Sequence, residues 1–162
     1  MHDTIVRQRD EGKATWFLNG LMLTKASEAE TRGAYCMMEH RITAASNPPP
    51  HVHNNEEEAF YVLEGEMEVE VGGEVATLKP GGFALAPRGV PHSFRVVSDE
   101  VRVLVIASSP EGNTHGGTPH FFETVGEPAT TLTIPVPQAP DPVALTAVAA
   151  EHDIDILPPP GL

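Results

Sequence analysis

Two histidines with one residue between them, His51 and His53, follow the run Pro48-Pro49-Pro50. In an extended segment, residues two apart point to the same side, so both imidazoles can reach one point. Glu58 stands five residues after His53 and opens the stretch Glu58-Ala59-Phe60-Tyr61-Val62-Leu63. Strand alternation puts Glu58 on the face of Phe60 and Val62, which are apolar and expected to point inward. An inward carboxylate is costly unless it is paired or bound to a metal. A third histidine, His92, begins another stretch on the face of Phe94 and Val96. Three neutral imidazoles and a carboxylate suit one divalent transition-metal ion per chain: Fe, Ni, Mn, Co, Cu or Zn. Ca and Mg prefer oxygen ligands. Read singly, these residues have plainer accounts, a surface histidine here and a solvated acidic run in Glu56-Glu57-Glu58 there. Glu56 and Glu57 also lie near, and a one-residue bulge would promote Glu57. Spacing and face favour Glu58.

The elements that must position these residues read as short strands. Residues 15–25 form one or two strands around Asn19-Gly20, and a turn over 26–33 leads to a strand over 34–43. The triple proline ends any central strand. Beyond it the pattern is regular: a strand over 59–63, an alternating one over 66–71, the hairpin dipeptide Gly72-Gly73, and a return strand over 74–78. Further strands are expected over 83–86, 92–97 and 101–107. Short strands between Gly/Pro turns define an all-β sandwich or barrel. One helix stands out, with Asp141 as N-cap, Pro142 at the first helical position and 143–150 following. Residues 108–138 read as a wrapping segment anchored by Phe121-Phe122, or else as a mobile lid. His40 is expected to face outward. His115 and His120 are expected at the surface, with closure over the pocket as an acid or base the alternative; Arg88 is a turn residue that is solvent-exposed or meets an acidic substrate, and Cys36 is expected in a strand as a small apolar residue.

Length fits one ordinary domain of 162 residues. A net charge of −13 offers no basic field to meet phosphates, so neither nucleic acid nor an anionic membrane is an expected partner. A single cysteine rules out an intramolecular disulfide and fits the cytoplasm. The polar first thirteen residues lack the apolar stretch of a secretory signal, and no apolar run approaches the ~20 residues of a membrane span.

Together the motifs resemble the cupin superfamily. Pro50-His51-Val52-His53, followed by Glu58 and Gly65, resembles the first cupin motif. Gly81, Pro87-Arg88-Gly89 and His92 resemble the second. The resemblance covers roughly residues 32–107. It implies a jelly-roll-like, double-sheet cupin β-barrel over 14–110, after a flexible lead-in over 1–13. Residues 111–162 would then wrap the barrel and carry the short helix. It implies His51, His53, Glu58 and His92 as metal ligands, with one or two positions open. One departure is Val96, where the family commonly carries Asn; the change makes the pocket floor drier. The stretch Gly116-Gly117-Thr118-Pro119-His120-Phe121-Phe122-Glu123, with Gly126-Glu127-Pro128-Ala129, resembles the segment after the barrel in bacterial quercetin 2,3-dioxygenase-like cupins. That implies a metal-dependent dioxygenase for a small enolic or aromatic substrate, with Glu58 as base as well as ligand. Two alternatives stand: a non-oxidative isomerase, lyase or decarboxylase using the ion as a Lewis acid, and a non-catalytic small-molecule-binding barrel. The expected pocket walls are Tyr35, Met37, Phe60, Val62, Phe83, Leu85, Phe94 and Val96, with ordinary core packing as the alternative for each. The resemblance also implies a homodimer in which residues 16–23 cross to the partner.

Overall fold

The computed structural model describes residues 4–108 and 118–158. Two antiparallel sheets enclose the core. The first has seven strands, in the order β11 (Glu127–Pro128), β1 (Lys13–Phe17), β2 (Gly20–Ala26), β3 (Cys36–Ile42), β10 (Val101–Ser108), β5 (Glu57–Glu64) and β8 (Phe83–Ala86). The second has five, in the order β12 (Ile154–Ile156), β4 (His51–His53), β9 (His92–Val96), β6 (Met67–Val71) and β7 (Glu74–Leu78). This is the double-sheet barrel that the strand pattern implied. The inner faces supply Met38, Phe60, Val62, Met67, Val69, Val96, Val103 and Val105, all buried in one cluster.

Local chemistry sets the turns. Gly72 and Gly73 both take positive φ, as a two-residue connection of right-twisted strands requires, and Val71 pairs with Glu74 across it. The β1–β2 connection is Leu18-Asn19, one residue earlier than expected, and both residues take positive φ. Gly20 serves another purpose. A Cβ there would lie 2.8 Å from Ile42 Cγ2, so its absence lets β2 lie close to β3. Residues 16–23 thus pair within the chain's own sheet.

The C-terminal helix α3 (Pro142–Glu151) is capped by Asp141, whose carboxylate accepts from the amides of Val143 and Ala144. Two further helices were not expected. A single turn, α1 (Glu28–Thr31), carries a capping box between Ser27 and Glu30. Helix α2 (Thr118–Val125) replaces part of the irregular wrapping segment. Its Phe121, Phe122 and Val125 pack on the core at the i, i+1, i+4 positions of one helical face. Phe17 meets both phenyl rings edge-on, at centroid distances of 5.6 and 4.3 Å. The C-terminal segment therefore wraps the barrel, adding β11 to one sheet and β12 to the other.

Side-chain bonds hold residues 7–11 against the barrel. Lys25 Nζ donates to the carbonyls of Gln8, Arg9 and Glu11, and Arg7 binds both oxygens of Glu30. Beneath this segment lies Glu39, 2% exposed on the outer face of β3. Arg102 grips its carboxylate with two bonds of 2.6 and 2.8 Å, and Arg41 and Lys25 stand at 3.4 and 3.8 Å. Burial alone would raise the carboxyl's pKa. The three cations outweigh it and hold the group below its usual range. Its contribution to stability is complete above the ordinary glutamate pKa of about 4.3 and is lost as pH falls through the depressed folded value. Glu39→Ala strips one anion from three cations, and breaking such a buried pair costs about 3 kcal/mol. Denaturant unfolding at pH 7 should show that loss. A change under 1 kcal/mol would mean that the cations find other partners.

Candidate metal centre

Strand register assembles the cluster. His51 on β4 is the direct cross-strand neighbour of His92 on β9. His53, two residues along, faces the same way. Glu58 reaches in from β5 in the opposite sheet, on the inward phase with Phe60 and Val62. One ligand atom from each of His51, His53, Glu58 and His92 lies within 4.8 Å of the others. Glu57 is not among them. Register runs unbroken from Glu57 opposite Ser108 to Phe60 opposite Val105, so no bulge rotates Glu57 inward. Opposite Glu58 on the other flank of β5 is Ala86, a side chain small enough to leave the carboxylate room.

Each imidazole is held by its Nδ1. His51 Nδ1 donates to the Pro49 carbonyl at 2.9 Å, and His92 Nδ1 to the Val90 carbonyl at 3.0 Å. A carbonyl can only accept, so these two nitrogens carry the proton. His53 Nδ1 lies 2.8 Å from Thr118 Oγ1. The Thr118 hydroxyl gives its own proton to the Glu56 carboxylate, and therefore accepts from His53. In the neutral form of each ring the lone pair then sits on Nε2, the arrangement that orients histidine ligands.

The electrostatics of the cluster suit a cation. His92 Nε2 is 3.1 Å and His53 Nε2 3.7 Å from Glu58 Oε2. Lone pairs facing a carboxylate at that range repel unless a proton or a metal ion lies between them. Burial would raise the Glu58 pKa, yet the imidazoles around it, His53 first, bring it down to about 2. Burial lowers His51 to about 4, so it is a neutral ligand at physiological pH. Burial also acts to lower His53, but Glu58 and Glu56 outweigh it and the net shift is upward. The donor set thus fits a transition-metal ion.

The cluster forms one end of a cavity of ≈ 80 Å³. Phe60 and Phe94 line it, as expected. Val62 and Val96 lie in the core beneath and do not reach it. Tyr35 and Met37 are on the opposite phase of β3 and line an outer hollow beside the N-terminal segment. Phe83 and Leu85 point outward, 58% and 43% exposed. On β8 the small Ala84 and Ala86 take the inner phase, because the strand lies close over the cluster, and the large residues turn to solvent. Further walls come from Phe17 and Leu18 of the β1–β2 hairpin, Phe121 and Phe122 of α2, Leu145 of α3, and Ile154 and Ile156 of β12.

His40 faces inward, against expectation. It is buried, lines the cavity, and meets Phe122 edge-on at 5.5 Å. Glu56 was also missed as a participant, although its place three residues after His53 offered a signal. Among the other histidines, His120 is exposed on α2, and His115 lies outside the described residues. Arg88 is exposed in the β8–β9 turn. Cys36 is buried and its thiol is pushed up to about 12, chiefly by burial, which leaves it unreactive.

A two-sheet antiparallel barrel with three histidines and a glutamate turned into it from both sheets is the architecture of cupins. Residues 38–107 match the family model described as "Cupin domain". The chain is 34% identical over 80 residues to a quercetin 2,3-dioxygenase of Bacillus subtilis (strain 168), a match spanning 49% of this chain and 22% of that protein. Among five curated relatives, the aligned part is 19–53% of the relative's own length. The fold is similar to that of an RmlC-like cupin from Shewanella frigidimarina NCIMB 400, with a TM-score of 0.57, 15% identity, and coverage of 70% of this chain and 98% of that one. It is similar also to a protein of Thermotoga maritima described as a predicted oxalate decarboxylase, with a TM-score of 0.56, 19% identity, and coverage of 65% and 100%. No helix among the described residues is long and apolar enough to cross a membrane.

Proposed function

We propose that this protein is a metal-dependent oxidoreductase of the dioxygenase type, acting on a small enolic or aromatic substrate. One observation carries the reading: three imidazoles and one carboxylate converge, and His51, His53 and Glu58 of that set line a largely apolar cavity. The similarity to a quercetin 2,3-dioxygenase over 80 residues supports it. His51, His53, Glu58 and His92 would hold the ion, which when bound supplies Lewis acidity and, if redox-active, a partner for O2.

The chain's own contributions follow from geometry. Glu58 lines the cavity, where its carboxylate can take the proton of an incoming enol at Oε2. Phe60, Phe94, Phe121 and Phe122 exclude water from the reacting end, which strengthens every charge interaction inside. The cavity is about half the ~150 Å³ of an engineered protein cavity that holds benzene. It takes the reacting end of a small molecule; a two-ring flavonol must extend past it or displace its walls.

The test is metal analysis of the purified protein, followed by O2 uptake against a panel running from catechols and small enols to flavonols. Uptake matched by ring-opened product is the expected result, favouring the smaller members. Conversion that continues without O2 would overturn the dioxygenase reading in favour of Lewis-acid chemistry.

A further inference from the structure

The tip of the β1–β2 hairpin carries an unusual residue for its shape. Phe17 pairs with Gly20, so Leu18 and Asn19 form the whole connection, and both take positive φ, 42° and 64°. A two-residue turn of this kind favours Asn, Asp or Gly at both places, because other L side chains crowd the backbone there. Asn19 suits its position. Its side-chain amide donates to the carbonyls of Ala45 and Gln138 at 3.0 and 3.1 Å, and its side-chain oxygen accepts from the Gln138 amide at 2.8 Å. Those bonds tie the tip to the turn that precedes the prolines and to the segment that precedes α3. Leucine has no such local reason to stand at position 18.

Core packing does not supply one. Among the described residues, the half-buried side chains packed on the core cluster include Phe17 and Leu145 but not Leu18. Leu18 instead borders two spaces. One is the ≈ 80 Å³ cavity that His51, His53 and Glu58 also line. The other is an outer hollow of ≈ 770 Å³, with Trp16, Ile134 and Val148 in its walls. Leu145 of α3 borders both as well. Leu18 and Leu145 are half-buried, so the metal cavity approaches the surface where these two residues divide it from the hollow.

Resting on the enolic-substrate reading, we infer that Leu18 is a specificity-determining residue: its side chain closes the metal cavity toward the outer hollow and limits how far a substrate extends from its metal-binding oxygens. The substrate class narrows to enols whose substituent on that side is short. An aryl group there is turned away at Leu18, although the hollow beyond has the room and the apolar walls to take one. Such selection also accounts for a leucine held in a conformation that costs it stability, since strained backbone persists where a site requires it.

The experiment uses two hydroxamates, whose adjacent oxygens chelate a metal ion as an enolate and its ketone would. Acetohydroxamate ends in a methyl group and benzohydroxamate in a phenyl. Calorimetry on the nickel-loaded wild type should show acetohydroxamate binding roughly tenfold tighter or more. Leu18→Gly, in which glycine accepts the positive φ and opens the wall, should bring the two affinities within about twofold. Leu18→Asn keeps nearly the same side-chain size and should keep the wild-type preference. It should also melt no lower than the wild type, because asparagine tolerates this φ and no contact with the core cluster is lost. Equal binding of the two probes by the wild type, or a preference that survives Leu18→Gly, overturns the proposal and leaves the enolic reading standing. A melting temperature more than about 4 °C lower in Leu18→Asn does the same, since it would make Leu18 a packing residue. Failure of acetohydroxamate to bind the nickel-loaded wild type overturns the enolic reading and the role of Leu18 with it.

Discussion

Replacing His92 with alanine should leave the protein unable to retain a metal ion through dialysis. Its Nε2 faces Glu58 Oε2 at 3.1 Å, and its ring stacks near-parallel to His53 with centroids 5.2 Å apart. The deletion removes one of four ligand atoms. It also removes the strand-paired neighbour of His51 and uncovers one side of a fully ionised buried carboxylate. Altering a residue that merely orients a ligand costs about 10–100-fold in affinity, so losing the ligand itself should cost more than about a hundredfold. The same result is expected for His51→Ala. Elemental analysis after dialysis gives the first reading. Melting with and without added metal gives the second, because an ion that binds only the folded state raises the melting temperature and one that no longer binds does not. Full metal content in both variants would show that the ion, if any, sits elsewhere.

The four clustered residues were legible because each lies where side-chain alternation is clean. Glu58 is followed by Phe60 and Val62 on one phase, and both are buried as that phase demands. The strand bearing His40 gave no such guide. Cys36, Met37 and Met38 are apolar on both phases, and the polar pair Glu39-His40 must put one member on each face. The structure buries both, Glu39 against Arg102 and Arg41 on the outer face, His40 in the cavity wall. Tyr35 and Met37 were misassigned for the same reason. On β8 the rule that large apolar residues turn inward fails, since Ala84 and Ala86 face the interior and Phe83 and Leu85 do not. A close approach between strand and metal cluster favours small side chains, and one sequence cannot show which strand makes it. The far walls were illegible for a different cause. Helices α2 and α3 and strand β12 reach the site only through long-range packing, and no local periodicity records that.

Thr118→Val should weaken metal binding by about 10–100-fold although the residue touches no ion. Thr118 is wholly buried at the start of α2. Its hydroxyl accepts from His53 Nδ1 at 2.8 Å and donates to Glu56, while its amide donates to the same Glu56 oxygen at 2.7 Å. Valine has nearly the same shape but no hydroxyl. His53 would keep its place in β4 and lose the acceptor that fixes its tautomer and points Nε2 at the cluster. Glu56 Oε2 stands 3.5 Å from His53 Nδ1, near enough to compensate. Closing that gap would pull the carboxylate from the Thr118 amide and loosen the first turn of α2. Metal affinity and the anchoring of α2 are therefore coupled through a single hydroxyl. Chelator competition should show the affinity loss, and hydrogen exchange should show faster opening of residues 118–125 in the same variant. Thr118→Ser, which restores the hydroxyl, should recover both. A valine variant with affinity within twofold of the wild type would mean that Glu56 alone orients His53, and that the helix is held by Phe121 and Phe122 without help from the metal centre.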